Sequence, residues 1–377
     1  MSTPGDDIFS RPVGRWMEGS GPESDVVIST RVRLARNVRG LPFPHLLQQD
    51  QRQRMIDMVA DAIAGDRVRG GPLADLHVVR LVDLGPLQRE VLVEKHLISP
   101  QHAGDGTGAV AIRSDQTVSV MINEEDHLRI QVLMPALQLA EAHRLCAAVD
   151  DAFEAALDFA WDDSYGYLTA CPTNTGTAMR ASVMLHVPGL VMAGQARRLA
   201  GLINRLNCVV RGMYGEGSEA AGHIFQVSNQ ITMGQSEDEV LAGLSGLTAR
   251  LTQEERQARA ALLAESRAHL EDRVWRAWGI LTCARVLSSR EALQYTSDLK
   301  LGVDLGLLPD VDAGTVNSLM YIIRPAYLQI LSGRELPPEE RDIRRAALAR
   351  EHLCQCAVPG AGPQPEATDG QGGIHGS

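Results

Sequence analysis

The sequence predicts an α+β domain followed by an all-helical domain, and three observations carry that reading. Between about residues 25 and 235, short β-type runs mix with helical stretches. From Ser236 onward, "SEDE" (236–239), "TQEE" (252–255) and "SSRE" (288–291) each place Ser or Thr three residues before Glu, a capping-box pattern expected to open a helix. The ending, "AVPGAGPQPEATDGQGGIHGS", is rich in Gly, Pro and small polar residues and reads as disordered. The expected bounds are a loose leader over 1–24, a first domain over 25–252, a helical domain over 253–355 and a tail over 356–377.

In chain order, "MSTPGDDIF" is acidic and turn-rich and lacks the basic and apolar regions of a signal peptide, which makes a cytoplasmic location the expectation. "DVVI" then leads into "STRVRLAR" (29–36), which concentrates Arg31, Arg33 and Arg36. Strand alternation points Arg31 and Arg33 to one face, where two forked guanidinium groups suit phosphate oxygens. A solvated strand edge with surface ion pairs fits the same residues. "LHVVRLVDL" (76–84) and "TVSVMI" (117–122) read as strands. In "VSVMINEEDHLRIQVL" (118–133), "NEEDH" resembles a hairpin turn between two apolar alternations. Strict alternation would put Asn123, Glu125, His127 and Arg129 on one face. The cluster is either an ordinary acidic turn or a carboxylate set gripping a cation, with an arginine beside it for phosphate.

"PALQLAEAHRLCAAVDDAFEAALDFA" (135–160) reads as one long helix with a stripe of Leu145, Val149, Ala152, Ala156 and Phe159. "YLTACPTNTGTAMRASVMLHVP" (167–188) sets Cys171 at a loop entrance, where it is a packed small residue or a functional thiol, and Arg180 opens the next apolar run. "RGMYGEGSEAAGHIFQVSNQ" (211–230) surrounds Glu216 with Gly212, Gly215 and Gly217, a turn or a loop that closes over a ligand. Pro338 suits the first turn of a last helix through about His352.

The chain has 377 residues, which suggests two or three domains, and 44% of them are hydrophobic, ample for a sizeable core. No apolar stretch is long enough to cross a bilayer. The net charge of -11 argues against nucleic acid as a partner. Cys146, Cys171, Cys208, Cys283, Cys354 and Cys356 lack metal-ligand spacing and are expected to be reduced thiols.

These stretches, in this order, resemble the catalytic domain of the phosphagen (guanidino) kinases, which move a phosphoryl group between ATP and a guanidinium nitrogen. Five motifs of that family occur over roughly residues 25 to 240: S-[ST]-R-V-R, N-E-E-D-H-L-R, C-P-[TS]-N, R-A-S-V and R-G-x-x-G-E. The resemblance is closer to the McsB-type protein arginine kinases. The clamp stands near the start of the chain, which implies that the N-terminal helical domain of the small-molecule kinases is missing and the site open to a protein. "RGMYGE" carries Tyr214 where those enzymes have a second arginine. "RDIRRA" (341–346) fits the R-D-x-x-R-A motif that binds phosphoarginine allosterically in this branch.

The resemblance implies a mostly antiparallel sheet flanked by helices. It implies an ATP site of Ser29, Thr30, Arg31, Val32, Arg33, His96, Arg129, Arg180, Ala181, Ser182, Val183, Met184, Arg211, Gly212, Met213, Tyr214, Gly215 and Glu216. Mg²⁺ would be held by the ATP phosphates, not by protein ligands. Glu125 is expected as the base, Glu216 as its orienting partner and Cys171 as a polarising thiolate, with Glu124 the less favoured substitute. Arg341, Asp342, Ile343, Arg344, Arg345 and Ala346 are expected as a phosphoarginine site, although a solvated, salt-bridged helix also fits them. Protein substrates, a homodimer, an McsA-like activator and a Clp-type protease are the implied partners. A kinase for free arginine and a catalytically weak phosphoarginine-binding adaptor are the alternatives.

Overall fold

The computed structural model describes residues 8–9, 13–195, 203, 208–212 and 221–354, without the side chains of 211, 212 and 221. The elements run β1 (Val27–Arg36), α1 (Gln49–Arg69), β2 (Leu76–Arg80), α2 (Pro86–Glu94), α3 (Pro100–Asp105), β3 (Ala109–Arg113), β4 (Val118–Ile122), β5 (Leu128–Pro135) and α4 (Leu139–Glu154). Then come β6 (Trp161–Asp162), β7 (Gly166–Tyr167), β8 (Met179–His186), α5 (Pro188–Met192), β9 (Cys208–Gly212) and β10 (Ile224–Asn229). The helical part holds α6 (Glu237–Cys283), α7 (Ser289–Asp304), α8 (Ala313–Ile322), α9 (Pro325–Ser332) and α10 (Pro338–Leu353).

Eight strands form one sheet in the order β2-β3-β4-β5-β1-β8-β10-β9. Every neighbouring pair is antiparallel. β1, the first strand in sequence, therefore lies between β5 and β8. Its even positions Val32 and Leu34 are buried in the main core, as alternation requires. On that face Val120, Ile130, Val132, Ala181 and Val183 pack against Met55, Val59 and Ile63 of α1, Val149 and Phe153 of α4, and Leu244 and Leu251 of α6. In α4 the buried residues Leu139, Ala142, Cys146, Val149 and Phe153 recur at steps of three and four, one helical stripe.

A second core fills the helical part, with Val274, Leu281, Leu299, Leu319, Ala346 and Leu353 among its members. Val91 of α2 belongs to it, whereas Leu92 of the same helix belongs to a smaller core with Leu97, Val110 and Met121. Part of the leader, expected to be loose, is instead packed. Trp16 and Met17 are buried, and Trp16 meets the rings of Tyr321 and His96 edge-on at 5.1 and 5.6 Å. A large buried indole fixes this stretch better than its turn-rich composition suggests.

Local physics corrects three further expectations. The strand expected over 76–84 stops at Arg80, where its partner β3 begins at Ala109, and Leu81–Asp83 turns as a 3-10 segment. The helix expected over 135–160 occupies only Leu139–Glu154, because Pro135 still pairs with Ser29 in β5. Phe159 is buried beyond the helix, in a bridge to Val38. "TQEE" opens no helix: Thr252 and Glu255 lie inside α6 and are buried. Ser236 and Ser288 do form capping boxes with Glu239 and Glu291, and Pro338 opens α10. α6 runs through the expected boundary at 252/253 and breaks helical geometry only at Ser266 (φ -142°, ψ 39°). The tail lies outside the described residues.

Candidate active site

The sheet face opposite the main core carries the arginines. Arg33 on β1 pairs with Arg180 on β8 and, on its other side, with Gln131 on β5, two residues from Arg129. Arg31, Arg33, Arg129 and Arg180 line one cleft of about 550 Å³, together with His96, Gln131 and Gln226. Alternation had indicated Arg31 and Arg33; the register adds the other two. Arg31 Nη2 donates to Gln226 Oε1 (2.9 Å). Burial, then the fields of Arg129 and Arg180, pull Arg31 down to about 10, and burial, then the fields of Arg31, Arg129 and Arg180, pull Arg33 well below its ordinary value. Crowded cations of this kind are destabilised until an anion joins them. Buried Arg33 Nε and His96 Nε2 have no partner among the described residues. Burial and the charges of Arg324 and Arg31 hold His96 neutral, in a left-handed backbone position (φ 55°).

Arg36, the third arginine of the opening run, faces the other way. It pairs with buried Asp150 at 2.6 Å and covers the Tyr167 ring at 3.4 Å from the centroid. Alternation therefore divides the run into a ligand face and a structural one.

The β4–β5 turn places two adjacent glutamates differently. Glu124 accepts from Ser99 Oγ at 2.5 Å and from Arg129 Nη1 at 2.8 Å on both oxygens. Burial alone would raise its pKa, but Arg129 and these bonds bring it to about 2. Glu125 is half-exposed, and Asn174 Nδ2 donates to it at 3.3 Å. Burial, then the neighbouring Asp126, raises Glu125 above its ordinary value. Asp126 is buried and accepts from Asn37 Nδ2 (2.6 Å) and Ala170 N–H (2.7 Å), which ties the turn to the segment just before Cys171.

The turn breaks the strict alternation expected of Asn123, Glu125, His127 and Arg129. Asn123 takes a left-handed φ of 59° and donates to Arg52 O. His127 is buried between Val38 N–H and Pro42 O. Only Glu125 and Arg129 of the four line the site.

Cys171 stands at the start of the Pro172–Asn174 turn, its Sγ 3.0 Å from Thr173 Oγ1. It lines a second cavity, of about 250 Å³, with Glu125, Thr173 and Asn174. Arg33, Arg129 and Arg180 line this cavity too, so the same three arginines border both spaces. Asn174, in the cysteine loop, is a site residue that sequence reasoning does not reach, because a single loop asparagine carries no signal until its partner is known.

Seven of the expected positions, on β1 and β8, line neither cavity. Ser29 and Thr30 are buried, and Thr30 donates to Ala136 O. Val32, Ala181 and Val183 are in the main core, Ser182 is buried between strands, and Met184 packs with Trp16 and Tyr321. Arg211 pairs through its backbone with Gln226, and Gly212 with Phe225. Met213, Tyr214, Gly215 and Glu216 lie outside the described residues. In "RDIRRA", Arg345 is buried, donating to Ile323 O and Leu287 O at 2.8 Å and to Asp342. Ala346 is in the helical core, Ile343 is exposed, and Arg344 pairs with Glu351. Arg341 and Asp342 are half-exposed.

The chain matches two family models. Residues 55–258 match the ATP:guanido phosphotransferase C-terminal catalytic domain, and 267–364 match the protein-arginine kinase McsB C-terminal domain. It is 53% identical over 340 residues to the protein-arginine kinase of Moorella thermoacetica, covering 90% of this chain and 97% of that one. It is 50% identical over 348 residues to that of Symbiobacterium thermophilum, covering 92% and 98%. Among solved structures it resembles lombricine kinase in fold (TM-score 0.55, 24% identity, 67% of this chain and 71% of that one). It also resembles the duplicated taurocyamine kinase of Schistosoma mansoni (TM-score 0.54, 26% identity, 68% and 36%).

Proposed function

The chain belongs to the protein-arginine kinase family, built on the ATP:guanido phosphotransferase catalytic domain, and from that premise we infer how its residues transfer the γ-phosphoryl group of ATP to arginine side chains of proteins. The observation that carries the assignment of roles is the shared border of the two cavities. ATP lies in the larger one with its phosphates on Arg31, Arg33, Arg129 and Arg180. The acceptor guanidinium enters the smaller one beside Glu125 and Cys171. The γ-phosphoryl group then sits at the three arginines common to both. Fixed cations at that point stabilise the charge spread over the group in transit.

Glu125 grips the acceptor N–H groups, orients one nitrogen and takes its proton. Its raised pKa suits a proton acceptor better than that of Glu124, whose charge is spent on Arg129. Glu216 is assigned as the second carboxylate and Arg211 as the fifth arginine, both by family position. Cys171 polarises the acceptor without forming a covalent bond. We place Mg²⁺ on the nucleotide phosphates and assign it no protein ligands. Mg²⁺ would supply neutralisation of phosphate charge.

The domain boundary belongs at Ser266, between the two family matches. Arg341 and Asp342 are assigned to phosphoarginine, with buried Arg345 anchoring them to α8. A homodimer, an McsA-like activator, delivery of marked proteins to a Clp-type protease under stress and a cytoplasmic location complete the proposal. No described helix is long and apolar enough to cross a membrane.

The test is phosphoryl transfer from labelled ATP to an arginine-rich protein, with free arginine and Glu125→Ala run in parallel. Acid-labile label on protein alone, lost in the variant, is the expected result. Label on free arginine would reassign the acceptor, and undiminished label with Glu125→Ala would remove Glu125 from the mechanism.

A further inference from the structure

Glu125 borders the acceptor cavity and also a third space, of about 320 Å³, walled by Pro44, Arg52, Gln101, His102 and Asp105. These residues come from the turn before α1, from α1 itself and from α3, and none of them has a role in the transfer. An acceptor arginine on a protein brings its chain neighbours with it. A cavity that shares Glu125 with the acceptor is therefore within reach of the residue beside that arginine.

Apart from the exposed Gln101 amide and His45 ring, what this wall leaves unspent is acceptors. His102 is buried, with its Nε2 3.0 Å from Ala109 O. A carbonyl oxygen only accepts, so Nε2 carries a proton, and burial holds the ring below its ordinary pKa and keeps it neutral. Nδ1 is then an acceptor, and it has no partner among the described residues. Asp105 takes a bond from Thr107 Oγ1 (2.8 Å) and has Arg52 at 3.7 Å, both on Oδ2, which leaves Oδ1 without a bond among the described residues. Arg52 is committed, donating to Pro44 O at 2.9 Å and to Thr107 Oγ1 at 3.2 Å. Among the described residues of the wall, the carboxylates of Asp105, Glu124 and Glu125 face this one guanidinium. Arg129 answers Glu124 from outside the cavity, and the acceptor answers Glu125. Asp105 and His102 remain for a second group. The His45 ring, parallel to Phe43 within 12°, and Pro44 offer surface along which an alkyl stem can lie.

We propose that this cavity is a specificity subsite for a basic side chain, lysine or a second arginine, next to the acceptor arginine in the target protein, with Asp105 Oδ1 and His102 Nδ1 accepting from its cationic head. The proposal rests on reading Glu125 as the grip on the acceptor. It makes an arginine in a basic stretch a better target than one beside an acidic residue.

The test is phosphoryl transfer by the full-length protein to peptides that carry one arginine, flanked on one side or the other by lysine, alanine or glutamate. The readout is the ratio of kcat/KM between flanking residues. Wild type should favour lysine over alanine by about fivefold or more on at least one side, and should disfavour glutamate. Asp105→Asn should bring the ratio towards one. Asp105→Lys should invert it, so that glutamate is preferred. Asp105 is exposed, so both variants should fold, and a merely structural side chain would not reverse the preference. Glu125→Ala tests the underlying reading and should abolish transfer to every peptide. If Glu125→Ala is inactive while wild type shows no preference for lysine, or while the Asp105 variants keep the wild-type ratio, the subsite is refuted and the acceptor site stands. If Glu125→Ala transfers normally, or wild type labels no peptide, both readings fall.

Discussion

Glu124 and Glu125 are chemically identical neighbours, and their surroundings give them opposite tasks. Glu125 acts only when deprotonated, so activity should rise with pH through its pKa. Because burial and Asp126 raise that pKa, the acid limb of kcat/KM should lie above the ordinary 4.5. Asp126→Asn should move the limb to lower pH, and Glu125→Gln should cost about 10² to 10⁴ in kcat/KM; a pH–rate profile reads both. Glu124 is held at about 2 in the folded chain against an ordinary 4.5. Its ionised form therefore contributes stability, on the order of 3 kcal/mol, that is complete above pH 4.5 and lost as pH falls towards 2. Denaturant melts of wild type and Glu124→Gln should show a gap that narrows over that window. The choice between the two glutamates was not decided by local sequence. Spacing located the pair, but Ser99, Arg129 and buried Asp126 separate them, and those neighbours are set by the fold. Arg31 and Arg33 were legible because strand alternation is a local rule.

At the scale of elements, a capping motif reports a helix start only when its residues are free to be at one. Ser288 and Glu291 are, and Ser288→Ala should cost about 1 kcal/mol. Glu255 matches the same pattern, yet it accepts N–H groups of Gly189 and Leu190 at 2.9 Å and pairs with buried Arg259 at 2.6 Å. Glu255→Ala leaves Arg259 and the start of α5 uncompensated, and should cost about 3 to 5 kcal/mol. Equilibrium unfolding of the two variants distinguishes a surface cap from a buried clasp; equal losses would contradict the assignment. The same logic explains why β2 and α4 came out shorter than their apolar runs. Partner strands and Pro135 set their ends, and neither is a property of the run itself.

For the molecule as a whole, the order of parts was legible, because periodicity changes at Ser236. The interlocking of the parts was not. Val91 sits in the helical core, Trp16 joins His96 to Tyr321, and Ser297 of α7 bonds both His186 and His223 (2.8 and 3.0 Å). Such a body should melt as one unit. ADP at about a hundred times its Kd should raise stability by about 2.7 kcal/mol and shift a single calorimetric peak; two peaks, one of them unmoved, would contradict it. The central place of β1 has a consequence for biosynthesis. Arg33 leaves the ribosome early, but its neighbours on β5 and β8 are made long afterwards. At usual translation speeds the delay before Arg180 emerges is on the order of ten seconds. During that interval the first strand has neither of its flanking partners, and its two open edges can pair with other chains. A nascent chain of this design depends on being shielded while it is made, and substitutions that weaken β1 should lower soluble yield before they lower activity.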